Sequence, residues 1–195
     1  MKIAVVKYNA GNVQSVIYAL QRLGVEPLHT DDHHEITTAD KVIFPGQGEA
    51  SSAMTYLRDK GLDKVLTSLT QPFLGICIGL QLMCRHSEEG DTDCLGIFDL
   101  GVKKFEKGIE GYKVPHMGWN IQVCNQSKLF TGLTNPYLYY VHSYYAALGP
   151  ETIGTTDYIV PFSGALHKDN YYAVQAHPEK SSTPGQIILT NFLAL

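Results

Sequence analysis

Short apolar runs alternate with amphipathic segments through the first half of the chain. The run KIAVVKY precedes NVQSVIYALQRLG, whose apolar residues recur at helical spacing and which ends at Gly24. The same unit returns as KVIF (41–44) before EASSAMTYLRDKG and as PFLGI (72–76) before IGLQLMCRH. Strands that alternate with helices indicate a parallel sheet covered by helices. The first half therefore predicts a three-layer α/β fold.

From about residue 100 the pattern becomes β-rich. NIQVC, YLYYVHSYYA, TIGTTDYIV and YYAVQA contain many β-branched and aromatic residues, and the final run GQIILTNFLAL has a helical pattern. We expect a mixed, mostly parallel central sheet flanked by helices, with a β-rich antiparallel portion closed by one helix. The length fits one domain and no linker is evident, so residues 1–195 are predicted to form a single domain.

Composition excludes several classes of function. A net charge of -4 gives no basic surface for nucleic acid. The apolar run before Lys7 is too short for a secretion signal, and no stretch approaches the length of a membrane span, so we expect a cytoplasmic protein without a membrane partner.

Metal binding is also not predicted. The cysteines lack CxxC spacing, so we expect free thiols and no structural zinc. HTDDHHEI (29–36) contains several ligand types, but nothing in its spacing fixes a coordination geometry, and a solvated loop is the preferred interpretation.

One short stretch carries candidate chemistry. Gly75, Cys77 and Gly79 have the spacing of a nucleophile elbow, with sulfur in place of oxygen. A sharp strand-to-helix turn brings backbones close together, which explains glycine on either side of the cysteine. The N–H groups at the start of a helix favour a thiolate and can bind an oxyanion. The alternative is a buried structural cysteine.

A thiolate nucleophile needs a general base with an orienting group, and AVQAHPEKSS (173–182) supplies both. Pro178 favours extended backbone at His177, so His177 and Glu179 are predicted to share a face. An isolated His-x-Glu is more often a surface pair. Combined with the elbow, it predicts a Cys77–His177–Glu179 triad that needs no metal or cofactor.

VIFPGQGEA (42–50) is a third candidate segment, because a buried-type strand ends there in Pro-Gly-Gln-Gly. The flanking glycines allow the backbone at Gln47 to turn an N–H toward a ligand. A plain strand-to-helix turn is the alternative. In a parallel sheet, however, ligands collect at the carboxyl ends of the strands, where Gln47 and Cys77 would both lie.

Together these motifs resemble class I, triad-type glutamine amidotransferases, over essentially the whole chain. VPHMGWN and YYVHSY narrow the resemblance to the glutaminase subunits of imidazole glycerol phosphate synthase. The resemblance implies specific roles for residues. The nucleophile is Cys77, the base His177 and its orienter Glu179; the oxyanion donors are the backbone amides of Gln47 and Ile78; the substrate-binding residues are Gly48, Gln81, Ser143 and Tyr144; the partner-facing residues are Asn12, Trp119, Tyr139 and Lys180.

The resemblance also implies an activity and a partner. Glutamine would be hydrolysed through a cysteinyl thioester, and the ammonia would pass within a heterodimer to a (β/α)₈ cyclase in histidine biosynthesis. The isolated subunit would be nearly inactive until the loaded partner reorients the Pro-Gly-Gln-Gly backbone. Gln47 replaces a common valine and Ala176 a common aromatic residue, and neither change removes a reacting group.

The same motifs are compatible with other functions. A paralogous amidotransferase of surface-sugar biosynthesis would share the triad and a similar partner. Glutaminase subunits for aminodeoxychorismate or pyridoxal phosphate synthesis fit VPHMGWN less well. A non-catalytic binding module, a free glutamine hydrolase and a cysteine peptidase are further alternatives.

Overall fold

A computed structural model of the protein describes residues 1–9, 11 and 13–195. The strands are β1 Ile3–Val6, β2 Leu28–Thr30, β3 Lys41–Phe44, β4 Phe73–Ile76, β5 Cys84–Ser87, β6 Thr92–Asp93, β7 Phe98–Lys104, β8 His116–Ile121, β9 Val123–Cys124, β10 Tyr137–His142, β11 Tyr144–Ala146, β12 Thr152–Tyr158, β13 Val160–Lys168 and β14 Tyr171–Val174. The helices are α1 Gln14–Arg22, α2 His33–Thr37, α3 Ala50–Asp59, α4 Leu62–Thr67, α5 Ile78–Met83 and α6 Ser182–Leu193, with 3₁₀ turns at Lys128–Phe130 and Pro178–Lys180.

The central sheet has the strand order β2-β1-β3-β4-β14-β13-β12-β9. Pairing is parallel from β2 to β14 and antiparallel from β14 to β9. The register between β4 and β14 pairs Ile76 with Val174. The predicted mixed sheet with an antiparallel portion is therefore confirmed.

Both faces of the sheet are covered, as the three-layer prediction requires. Side chains alternate across each strand, so Val42 and Phe44 of β3 point into one apolar cluster while Ile43 points into the other. The first cluster is covered by α3, α4 and α5, and the second by α1 and α6, which contributes Ile188 and Phe192. The continuous burial of β1, β3, β4 and β14 follows from this double cover.

Two smaller sheets extend the fold. β11, β7, β5 and β6 form one of them, and the antiparallel pair β8–β10 forms the other. The β8–β10 pair aligns Trp119 with Tyr139 and His116 with His142. Together with β9, β12, β13 and β14 of the central sheet, these sheets account for the β-rich texture of the second half.

Several local predictions were wrong. The helical pattern of IGLQLMCRH ends at Met83, because residues 84–87 form β5 and pair with β7. HTDDHHEI is not a loop: it contains the end of β2 and the start of α2, where the side chain of Asp32 accepts a hydrogen bond from the N–H of Glu35. Such a cap favours a short helix even in a polar segment.

Candidate active site

The Gly-x-Cys-x-Gly stretch forms the predicted sharp turn. Cys77 lies between β4 and α5 with φ 55° and ψ -107°, a strained conformation for a residue with a side chain. Its N–H donates to the carbonyl of Val174 at 2.8 Å, which fixes the turn against β14. A Cβ on Gly79 would collide with the carbonyl oxygen of Phe44, and one on Gly75 with the sulfur of Met83. The predicted close approach of backbones is confirmed at Gly79, whereas at Gly75 the nearest atom belongs to a side chain and the backbone of Gly79 lies next to it.

His177 and Glu179 meet in the protein interior. The Nδ1 of His177 lies 2.7 Å from Oε1 of Glu179, and the two side chains are 2% and 4% exposed. The prediction that they share a face is correct, but the stated reason is incomplete. Only His177 has extended backbone, while Glu179 lies in the 3₁₀ turn Pro178–Lys180 that follows it.

The contact with Glu179 fixes the histidine tautomer. A carboxylate can only accept, so Nδ1 of His177 carries a proton and Nε2 is the atom left for proton exchange. Nε2 is buried and has no hydrogen-bond partner among the described residues. Burial lowers the pKa of His177, but the Cys77 side chain and the Glu179 carboxylate outweigh it and raise this pKa to about 10.

The topology brings these residues together from distant parts of the sequence. Cys77 follows β4 and His177 follows β14 after two intervening residues, and these strands are parallel neighbours. Their carboxyl ends therefore meet at one edge of the sheet. The His177 N–H donates to the carbonyl of Tyr139 at 2.8 Å. Ser181 accepts from the Tyr139 N–H at 2.9 Å and donates to the His177 carbonyl at 2.6 Å, a brace that sequence reasoning missed.

A cavity of about 540 Å³ opens above Cys77. Most residues predicted to act on substrate line it, together with two of those predicted for the partner surface: Gln47, Gly48, Ile78, Gln81, Ser143, Tyr144, Tyr139 and Lys180. Several lining residues were not predicted: Glu89, Pro115, Met117, Val141 and His142. The structure thus gathers three separate motifs around one thiol.

Glu89 is the unpredicted residue with the clearest chemistry. Its half-buried carboxylate accepts from the N–H of Ala50 at 2.9 Å, at the start of α3. Burial raises the pKa of Glu89, and the opposing effect of this hydrogen bond is smaller, so the net direction is upward. Its position in EEGDTD resembles any solvated acidic turn, so the sequence carries no signal for it.

The oxyanion candidates lie on the wall of the same cavity. Ile78 is the first residue of α5, so its N–H has no acceptor within the helix. The carbonyl of Gln47 accepts from the Gly11 N–H at 2.6 Å, and Gly48 has φ 155°. The hydroxyl of Tyr8 donates to the carbonyl of Pro45 at 2.7 Å and holds the preceding turn.

An apolar face lies next to the cavity on the β8–β10 pair. Met117, Trp119, Ile121 and Tyr137 are each more than 40% exposed. Trp119 stacks on Tyr137 with ring centroids 6.2 Å apart. Of the residues predicted to face a partner, Trp119 and Tyr139 belong to this pair and Lys180 to the cavity rim, while Asn12 lies outside the described residues.

Within residues 1–9, 11 and 13–195, no group of three or more histidine, cysteine or acidic side chains could hold a metal ion. In the same part of the chain, no helix combines the length and apolar character needed to cross a bilayer. All of Cys77, Cys84, Cys94 and Cys124 are free thiols.

Comparisons with known proteins agree with this geometry. A family model described as glutamine amidotransferase class-I matches residues 4–195. The imidazole glycerol phosphate synthase subunit HisH of Bacteroides fragilis strain YCH46 is 57% identical over 196 residues, spanning 100% of both chains. The HisH subunit of Yersinia pestis is 42% identical over 199 residues, again 100% of both chains.

Solved structures support the fold alone. A crystal structure of a glutamine amidotransferase from Thermotoga maritima superimposes with a TM-score of 0.62 at 14% identity, covering 98% of this chain and 90% of that one. The sequence matches are more specific than the shared fold, because both the family model and the full-length relatives cover nearly the whole chain. The chain belongs to the class-I glutamine amidotransferase family and, within it, to the HisH subunits of imidazole glycerol phosphate synthase.

Proposed function

We propose that residues 1–195 act as one glutaminase domain that hydrolyses glutamine and delivers ammonia to a (β/α)₈ cyclase for imidazole glycerol phosphate synthesis. The observation that carries the proposal is the buried His177–Glu179 pair beside a cysteine held at a strained strand-to-helix turn. The HisH relatives support the pathway assignment over surface-sugar synthesis. The nucleophilic thiol must stay reduced, which fits the expected cytoplasmic location.

The first half of the reaction forms a thioester. The Cys77 sulfur attacks the side-chain amide carbon of glutamine, and the backbone N–H groups of Gln47 and Ile78 stabilise the tetrahedral oxyanion. Each such donor contributes about 3 to 4 kcal/mol in comparable sites. The imidazolium of His177 then gives the Nε2 proton to the leaving nitrogen, the C–N bond breaks and ammonia departs.

The second half regenerates the enzyme. His177 is now neutral and takes a proton from water, which attacks the γ-glutamyl thioester carbon. The C–S bond breaks, glutamate leaves and the thiolate is restored beside the imidazolium. Glu179 holds the tautomer throughout. Every nucleophile, acid, base and donor comes from the chain, so the steps require no metal or organic cofactor.

The cavity supplies groups for the α-amino acid end of the substrate. Gln81 donates from Nε2 to the carbonyl of Tyr144 at 2.8 Å, which leaves its Oε1 as an acceptor. The carboxylate of Glu89 lines the same space. We assign these two oxygens to the substrate α-ammonium group, with Gly48, Ser143 and Tyr144 completing the pocket.

The exposed face of Met117, Trp119, Ile121 and Tyr137 is proposed to bind the cyclase, with Asn12, Tyr139 and Lys180. Gating by the loaded partner would act on the segment around Gln47. The Gly11–Gln47 hydrogen bond holds one orientation of that backbone, and Gly48 permits rotation to another.

Alkylation with a glutamine analogue bearing an electrophile at the δ position tests the proposal. Burial raises the pKa of Cys84 and Cys124 and raises that of Cys94 to about 12, so these three stay thiols near neutral pH. We expect label on Cys77 alone. Glutamate release should require the cyclase loaded with nucleotide analogue, and Cys77→Ala should abolish it while Cys94→Ala does not. Labelling of Cys94 and Cys124 as well as Cys77, unaffected by competing glutamine, would contradict amide chemistry. Equal rates without the cyclase would contradict the gating.

A further inference from the structure

Gln175 is a fully buried polar residue that the mechanism above does not use. It follows β14, two residues before His177, and is 0% exposed. Its Nε2 lies 3.8 Å from the Cys77 sulfur, and its Oε1 lies 3.1 Å from Nε2 of Gln81. Its backbone N–H donates to Gly164 at 2.8 Å, which anchors the residue to β13. The carboxamide thus lies between the nucleophile and a substrate-pocket residue.

The surrounding hydrogen bonds determine which end of this amide faces the sulfur. The Tyr144 carbonyl can only accept, so the NH₂ group of Gln81 must face it. The second N–H of that group then points to Gln175, which must present its oxygen. The NH₂ group of Gln175 is therefore the end that faces Cys77.

The Tyr144 carbonyl is itself held by a second donor. Nδ1 of His142 lies 2.8 Å from it, and Nε2 of His142 lies 3.0 Å from Nδ1 of His116. Because the Tyr144 carbonyl can only accept, Nδ1 of His142 carries the proton. Nε2 of this neutral ring then accepts a hydrogen bond from Nδ1 of His116. His116 and His142 thus hold the Tyr144 carbonyl in place, and that carbonyl determines the amide orientation of Gln81 and, through it, of Gln175.

We propose that Gln175 is a positioning residue whose carboxamide N–H donates to the Cys77 sulfur, favours its thiolate and holds it toward the cavity. This inference rests on the proposed glutaminase function. A thiolate is a stronger acceptor than a thiol, so the contact strengthens when the proton leaves. The carbonyl of Val141 lies 3.7 Å from the same sulfur and accepts from the thiol form, but it repels the anion. Gln175 offsets that repulsion from another direction.

The chain contains a natural comparison for this contact. Gln122 is also 0% exposed, and its Nε2 lies 3.5 Å from the sulfur of Cys124. Burial raises the pKa of Cys124 and the Gln122 hydrogen bond lowers it. Gln122 does not line the cavity, so it offers a matched control with the same chemistry at a different thiol.

The test compares Gln175→Met, Gln175→Glu and Gln122→Met. Methionine keeps the side-chain length and removes the donor. Glutamate keeps an oxygen for Gln81 and places a second oxygen where the donor was. The rate of Cys77 alkylation by iodoacetamide is followed by mass spectrometry from mildly acidic to alkaline pH, with glutaminase kinetics measured in the cyclase complex.

We expect the midpoint of the alkylation profile to move upward by about one pH unit in Gln175→Met, as for loss of one hydrogen bond to a charged group. The shift should be larger in Gln175→Glu and absent in Gln122→Met, although Gln122→Met should lower the melting temperature because Gln122 is fully buried. The kcat should fall in both variants, and KM should stay unchanged in Gln175→Glu, which keeps an oxygen for Gln81 and, like wild type, does not line the cavity. An unmoved midpoint in both Gln175 variants would overturn the proposal. If the midpoint shifts as expected but wild type releases no glutamate, the proposed function fails and the positioning role stands.

Discussion

Replacing Glu179 by glutamine removes one charge from the buried pair without changing its shape. In the wild-type protein the carboxylate accepts from Nδ1 of His177 at 2.7 Å, and both side chains are almost fully enclosed. Glutamine can still accept through its oxygen, but it can also present its NH₂ group, which would favour the wrong tautomer. Glu179→Gln therefore tests both the charge and the orientation.

The size of the effect follows from the contact. A hydrogen bond to a charged group contributes about 1.5 to 3 kcal/mol, and about 1.4 kcal/mol corresponds to one pKa unit. The pKa of His177, raised to about 10, should fall by about 1 to 2 in the variant. Stabilisation by this raised pKa is complete below the unfolded value near 6.5 and is lost as pH rises through the folded value. Because the folded-state pKa is lower in the variant, the variant should lose this stabilisation at a lower pH than the wild-type protein.

The assays are an NMR titration of the His177 ring, unfolding by urea across pH, and glutaminase activity in the cyclase complex. Activity should drop by on the order of 10³ to 10⁴, as for loss of the orienting charge in comparable triads. Glu151→Gln is the control, because Glu151 also has a buried unpartnered carboxylate oxygen, while its one histidine contact among the described residues is the backbone hydrogen bond from His167 to its carbonyl. An unmoved His177 titration with activity within about twofold of wild type would refute the reasoning.

Three further predictions concern stability and assembly. Gly79→Ala should destabilise the protein by about 1 to 3 kcal/mol in urea unfolding, because the new Cβ meets the backbone of Phe44; unchanged stability would contradict the close approach. Tyr140→Phe removes a buried hydroxyl 2.8 Å from Thr156, so calorimetry should show a melting temperature lower by several degrees, about 2 to 4 °C for each kcal/mol lost, and an equal melting temperature would contradict that bond. Trp119→Ala should weaken cyclase binding at least about tenfold by titration calorimetry at unchanged melting temperature, and full affinity would place the interface elsewhere.

Periodicity was sufficient for elements whose burial follows a simple rule. β1, β3 and β4 are apolar on both faces, and α1 has one apolar stripe, so their patterns are unambiguous. The helix after Cys77 was overextended, because residues 84–87 are held as strand by pairing with β7, a long-range contact that no local pattern encodes. The short helix α4 was missed for a different reason: it follows α3 after only two residues, so the two helices form one polar-apolar pattern in the sequence.

The candidate site was predictable where chemistry imposes spacing. Glycines two residues either side of Cys77 and the His177-Pro-Glu sequence both reflect local backbone geometry. Glu89 and Gln175 have no such signature, because their contacts are made with residues far away in the sequence. Gln175 acquires a partner only when β4 and β14 lie side by side.

The position of β14 between β4 and β13 has a consequence for biosynthesis. A nascent polypeptide that has emerged only as far as β13 already contains Cys77 but lacks β14, the strand that lies between β4 and β13, and His177, which follows it. One edge of β4 therefore has no strand partner until β14 has been translated. Until then the turn at Cys77 also lacks its hydrogen bond to the carbonyl of Val174, so the geometry of this turn is completed only late in synthesis.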